Sequence, residues 1–181
     1  MQDELTLLVR ARALDEAALA DIHRTYYRPI FRYISFRVGD PKVVEDLTSE
    51  VFTRLLSALR DKTAPQNTLR GWLFRVASHV VADHYRQRQR APEVELTDMI
   101  PDDRTPLEDT ISQKLRVQDL RHALKDLTDE QQSVLALRFG FGMRIREVAE
   151  TIGKSEGAVK QLQLRALASL AKQLAPGANV S

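Results

Sequence analysis

Apolar residues recur along this chain at spacings of three and four, and no segment shows the sustained apolar–polar alternation of a β-strand. The pattern predicts an all-α protein. A first helix reads from Asp15 to Tyr27, and Pro29 opens a continuation with Ile30, Phe31, Ile34 and Val38 on one stripe, ended by Gly39. Asp40-Pro41 then supplies an N-cap with proline at the first helical position. The helix that follows turns Val44, Leu47, Val51, Leu55 and Leu59 inward and leaves Glu45, Asp46, Ser49, Glu50 and Thr53 outside. Residues 61–68, Asp-Lys-Thr-Ala-Pro-Gln-Asn-Thr, have turn composition and form a loop. The next helix, Leu69 to Arg90, buries Leu73, Val76, Ala77 and Val80.

From Ala91 to Thr110 the periodicity stops, and Pro92, Pro101 and Pro106 stand among acids. Such a composition makes a linker, about 25 Å across as a coil and about 70 Å when drawn out. A helix from Ile111 to Leu127 follows, then Thr128-Asp129-Glu130-Gln131, a capping box opening a helix toward Phe139, and the turn Gly140-Phe141-Gly142. Between Ile145 and Ala166 lie two short helices whose apolar faces, Val148, Ala149 and Ile152 on the first and Val159, Leu162 and Ala166 on the second, can bury each other. Gly153 lets the chain leave the first helix, Ser155 caps the second, and Glu156 suits its positive end. This is a helix-turn-helix. The organisation is therefore two small helical domains, 1–90 and 111–175, joined by a flexible acidic linker over 91–110, with a short tail over 176–181.

Charge sharpens this division. The net +2 hides a balanced segment over 1–69, +4 over 70–90, −6 over 91–110 and +4 over 111–175. Two cationic modules flanking an acidic strip fit two separate phosphate contacts. Around the start of the second helix of the helix-turn-helix, Lys154, Ser155, Gly157, Lys160, Gln161 and Arg165 stay polar or slim, as an element entering a major groove requires. Two amphipathic helices with a glycine turn also occur in proteins that never touch DNA, so this segment alone leaves both readings open.

Other chemistry is thin. The chain has no cysteine, which excludes disulfides and thiolate zinc sites, and His23, His79, His84 and His122 have no ligand spacing. No phosphate loop and no nucleophile with a base in register point to an enzyme, so no catalytic residue, metal, cofactor or small-molecule substrate is expected. No apolar run is long enough to cross a bilayer and no signal peptide opens the chain, which leads to the expectation of a cytoplasmic protein without membrane insertion.

Asp40-Pro-Lys-Val-Val-Glu-Asp-Leu-Thr-Ser-Glu-Val-Phe-Thr-Arg54, followed by Gly71-Trp-Leu-Phe-Arg-Val-Ala-Ser-His-Val-Val-Ala-Asp-His-Tyr-Arg86 and then by a linked helix-turn-helix, resembles the bacterial extracytoplasmic-function sigma factors. The likeness spans nearly the whole chain. It implies binding to core RNA polymerase, promoter recognition and promoter opening, with an anti-sigma factor as a further possible partner. By this resemblance Asp46, Ser49, Glu50 and Arg54 form the polymerase-docking surface. The loop and helix bearing Lys62, Asn67, Thr68, Arg75, Ser78, His79, Asp83, Arg86 and Arg90 meet the promoter element nearer the start. Lys154, Ser155, Glu156, Gly157, Lys160, Gln161, Leu164 and Arg165 meet the upstream element. Arginines would position phosphates, and the loop would read extruded bases. Phe52 and Trp72 are assigned to the core. The linker, with Asp102 and Asp103, would imitate nucleic acid in the polymerase's basic channels.

Three positions depart from the family pattern. His79 replaces a common asparagine, Arg144 replaces the usual serine or threonine cap, which predicts a weaker helix start, and Leu162-Gln163 replaces Arg-Leu, which predicts that Leu162 packs. The competing function is a stand-alone helix-turn-helix regulator that binds operators as a dimer without polymerase.

Overall fold

The computed structural model describes residues 4–65, 68–90 and 107–175, apart from the side chains of Arg90 and 107–115. Among them the chain forms eight α-helices, one π-helical turn and no strand. They are α1 (Glu4–Arg12), α2 (Glu16–Ser35), α3 (Pro41–Arg60), α4 (Leu69–Arg90), α5 (Leu107–Lys125), α6 (Asp129–Leu135), the π-helical turn Ala136–Gly140, α7 (Ile145–Ile152) and α8 (Glu156–Gln173). The chain divides into two compact units, Met1–Ile100 and Pro101–Ser181.

In the first unit α2, α3 and α4 pack on one another, and α1 lies against α2 and α3. Local sequence sets the helix starts. Asp15 accepts from the Ala18 N–H at 3.1 Å, and Asp40 accepts from Lys42 and Val43 with Pro41 at the first position. The core joins Leu7, Leu8 and Ala11 to Ile22, Ile30, Ile34, Val44, Val51, Leu55, Leu69, Leu73, Ala77 and Val80. Thr48, fully buried on α3, is satisfied by the Val44 carbonyl at 2.7 Å. Burial, aided by the Glu4 carboxylate, pushes the Tyr26 phenol up to about 12.

Four expectations need correction in this unit. α1 has no counterpart in the helices read from the sequence. α2 runs unbroken through Pro29, because Ile22, Tyr26, Ile30 and Tyr33 form one buried stripe across it. Each such side chain stabilises by about 1.5–3 kcal/mol, which offsets the roughly 3 kcal/mol cost of an internal proline. Trp72 and Phe52 are half-buried and outside the core. On α4, Val76 is half-buried too, while Phe74 and Val81 join the core.

In the second unit α5, α6 and α7 all pack on α8. Thr128 and Gln131 form the expected capping box, with bonds of 3.3 and 3.0 Å. The core combines Leu127, Val134, Leu137, Phe141, Met143, Val148, Ala149, Val159 and Ala166. The helix expected to reach Phe139 ends as α6 at Leu135 and continues as the π-helical turn. α5 begins at Leu107, so 107–110 belong to a helix rather than to the linker. The rest of the expected linker, including Asp102 and Asp103, and the tail lie outside the described residues.

Candidate polymerase and nucleic-acid interfaces

α3 presents Asp46, Ser49, Glu50 and Arg54 along one side, at helical spacings of three and four. Asp46 and Ser49 are exposed, while Glu50 and Arg54 are half-exposed and bound to each other at 2.5 Å. Arg54 also reaches Asp83 on α4 at 3.4 Å, so it ties the two helices together as well as facing outward. Beside this surface runs an aromatic row that the sequence reading did not identify. The Phe52 ring lies 4.7 Å from His23 and 6.3 Å from Tyr27, and Tyr27 lies 5.9 Å from Phe31. The signal was available as aromatic residues at four-residue spacing on α2, His23, Tyr27 and Phe31.

On α4, Arg75, Ser78, His79, Asp83 and Arg86 share one face, opposite Leu73, Ala77 and Val80. Arg75, His79 and Arg86 are exposed, and Ser78 and Asp83 half-buried. Asp83 is the electrostatic hub of this face. Burial would raise its pKa, but hydrogen bonds from Arg86 and Arg54 outweigh that and hold it below the ordinary carboxylate range. Arg90 continues α4, its side chain outside the described residues, as is Asn67.

Lys62 is exposed at the end of α3 with a left-handed φ of 57°. Thr68 caps α4, its hydroxyl accepting from the Gly71 N–H at 3.2 Å. The Glu4 carboxylate of α1 accepts from the Leu69 and Arg70 N–H groups at 2.6 and 3.0 Å.

The helix-turn-helix is built as its sequence specifies. Gly153 closes α7 in the left-handed region at φ 69°, and Ser155 accepts from the Ala158 N–H at 3.2 Å. Val159 on α8 and Val148 and Ala149 on α7 are buried, Ala166 is buried in a cluster with Leu127 and Leu135, and Ile152 and Leu162 are half-buried. Ser155, Glu156, Gly157, Lys160, Gln161, Leu164 and Arg165 are all exposed along the first turns of α8. Lys154 is the exception, bound to Glu130 of α6 at 2.7 Å. Gln163 accepts from Arg138 at 3.2 Å, which turns it toward the π-helical turn. At the α7 start Arg144 supplies no side-chain cap, and the Glu147 carboxylate accepts the Arg144 N–H at 2.6 Å, which is half of a capping box.

Comparison with known proteins decides what these surfaces belong to. Sigma-70 region 2 matches residues 22–91, and Sigma-70, region 4 matches residues 123–172. The chain is 36% identical over 173 residues to the ECF RNA polymerase sigma factor BldN of Streptomyces coelicolor, covering 94% of this chain and 65% of that protein. It is 31% identical over 191 residues to the ECF RNA polymerase sigma factor SigD of Mycobacterium bovis, covering 96% of this chain and 86% of that protein. The chain belongs to the ECF RNA polymerase sigma factors.

Membership makes this sigma factor a promoter-directing partner of core RNA polymerase, and neither a stand-alone regulator nor an enzyme. Its fold is shared with the solved structure of CnrH in complex with the cytosolic domain of CnrY, with TM-score 0.71 and 22% identity, covering 94% of this chain and 96% of that one. Among the described residues no helix is long and apolar enough to cross a membrane.

Proposed function

We propose that this sigma factor works in the cytoplasm through three separate surfaces on two domains, 1–90 and 107–175. Asp46, Ser49, Glu50 and Arg54 dock on a basic helical surface of core polymerase, with Phe52 and its aromatic neighbours as the apolar part of the contact. The α4 face from Arg75 to Arg90, with Lys62, Asn67 and Thr68, takes the separated strand of the near-start element, its arginines against phosphates. The exposed start of α8 enters the major groove of the upstream element through Lys154, Ser155, Glu156, Gly157, Lys160, Gln161, Leu164 and Arg165. The acidic segment 91–106 connects the domains and lies in the polymerase's cationic channels.

The observation that carries this reading is the separation of charge by surface. Carboxylates lie on the outer side of α3, and exposed arginines lie along α4. Each matches the sign of its proposed partner. Co-elution with purified core polymerase tests it: the natural chain co-elutes, Glu50→Lys does not, and Arg165→Ala still does while losing duplex contact. Equal loss of both functions in either variant contradicts the division. A protein that covers these surfaces, as an anti-sigma factor would, is a further expected partner.

A further inference from the structure

α1 is tied to both described ends of the α3–α4 connection. The Glu4 Oε1 accepts from the Leu69 and Arg70 N–H groups at 2.6 and 3.0 Å and from the Thr68 hydroxyl at 3.5 Å. Its Oε2 accepts from Arg70 Nε at 2.7 Å, with both side chains at least three-quarters buried. Arg12, at the other end of α1, donates to the Pro65 carbonyl at 2.7 Å and toward that of Ala64 at 3.4 Å. Leu7, Leu8 and Ala11 are buried and fix α1 in place.

The first N–H groups of α4 have no partner within the helix and form its positive end. Thr68 satisfies only one of them, at Gly71. Glu4, more than sixty residues away in sequence, accepts from the two before it, at Leu69 and Arg70, and pairs with the Arg70 side chain. The same helix holds the connection at its other end through Arg12. Recognition of an extruded base by small polar groups tolerates errors of only about 0.5 Å, so whatever holds the flanking backbone sets the fidelity of reading.

We propose that Glu4 and Arg12 are positioning residues for discrimination at the near-start promoter element: α1 clamps Ala64–Pro65 and Thr68–Arg70 so that Lys62 and Thr68, at the two described ends of the connection, meet the strand in one geometry. The inference rests on the reading that this connection and the α4 face contact that element.

The test uses the full chain with core polymerase on a promoter recovered by run-off from genomic fragments, and on the same promoter with its near-start bases changed. The ratio of transcripts measures discrimination. Core affinity and the thermal midpoint are measured beside it. Glu4→Gln keeps the side-chain length but removes the charge, and Arg12→Met keeps an apolar stem on an exposed residue. Each is expected to lower the ratio about fivefold, the scale of one lost helix cap, with core affinity within about twofold of the natural chain.

A purely structural role lowers the midpoint and both transcripts alike. An unchanged ratio in both variants overturns the proposal. Lys62→Ala combined with His79→Ala separates the two levels. If that variant loses discrimination and the α1 variants do not, only the role of α1 is wrong. If none of them loses it, the near-start assignment is wrong and the inference falls with it.

Discussion

The Lys154 ammonium lies 2.7 Å from the Glu130 carboxylate, so the cation that opens the proposed groove-reading turn is held by α6. A phosphate must compete with that carboxylate for Lys154. Both side chains are partly exposed, at 32% and 55%, so the pair is worth no more than about 1 kcal/mol. Glu130→Gln should therefore tighten duplex binding by up to about fivefold at low salt. The slope of log affinity against log salt should also steepen by up to about one unit. Salt titrations of upstream-element binding by the holoenzyme check this, and an unchanged slope would take Lys154 off the phosphate contacts.

Gly157 separates fold from recognition in a single substitution. A Cβ built there meets nothing nearer than Ser155 Oγ at 4.0 Å. Gly157→Ala should leave stability unchanged or raise it by up to about 1 kcal/mol, as alanine does in a helix. If the backbone at this point approaches DNA closely, the same methyl should weaken upstream-element binding about tenfold or more. Thermal unfolding and a duplex titration on one sample read both effects.

Leu14 occupies a left-handed position with φ 57°, just past the end of α1. The Asp15 N–H bonds to the Arg10 carbonyl at 3.2 Å and the Leu14 N–H to Ala11 at 2.9 Å, the pairing that normally ends a helix on glycine. Its side chain is 45% exposed and has little packing to lose. Leu14→Gly should raise stability by up to about 1 kcal/mol by relieving the left-handed strain, visible as a higher thermal midpoint; a lower midpoint would mean that the leucine packs more than its exposure indicates.

His84 sets an acid limit on the first unit. Burial first, and the nearby Arg88 second, push its pKa below 6.5, while Asp40 opposes them. The unfolded chain therefore binds a proton before the folded one does. The stability due to the neutral imidazole is whole above pH 6.5 and falls as the pH drops through the lower folded value. Thermal midpoints between pH 7.5 and 5 should decline, and His84→Gln should flatten that decline; an identical decline would assign it to other groups.

The helix ends explain what could be read from the sequence. Asp40-Pro41, the Thr128–Gln131 box and Gly153-Lys154-Ser155 carry their own capping chemistry, and each marks a helix boundary where expected. α1 ends on Leu14 instead of glycine, and its own carboxylate caps a different helix, so its boundaries have no local signature. Pro29 misled for a related reason: the local rule breaks a helix there, and only the buried stripe through Tyr26 and Ile30 keeps it whole. The charged face of α4 followed from periodicity. Its link to α3 through Arg54 and Asp83 did not, because partners 29 residues apart share no sequence pattern.

Run-off transcription on genomic fragments with purified core polymerase, with and without this chain, tests the central claim most directly. Discrete new start sites should appear only when the chain is present, and Glu50→Lys should abolish them. Transcripts that are the same in both reactions, despite a folded chain, would contradict the account.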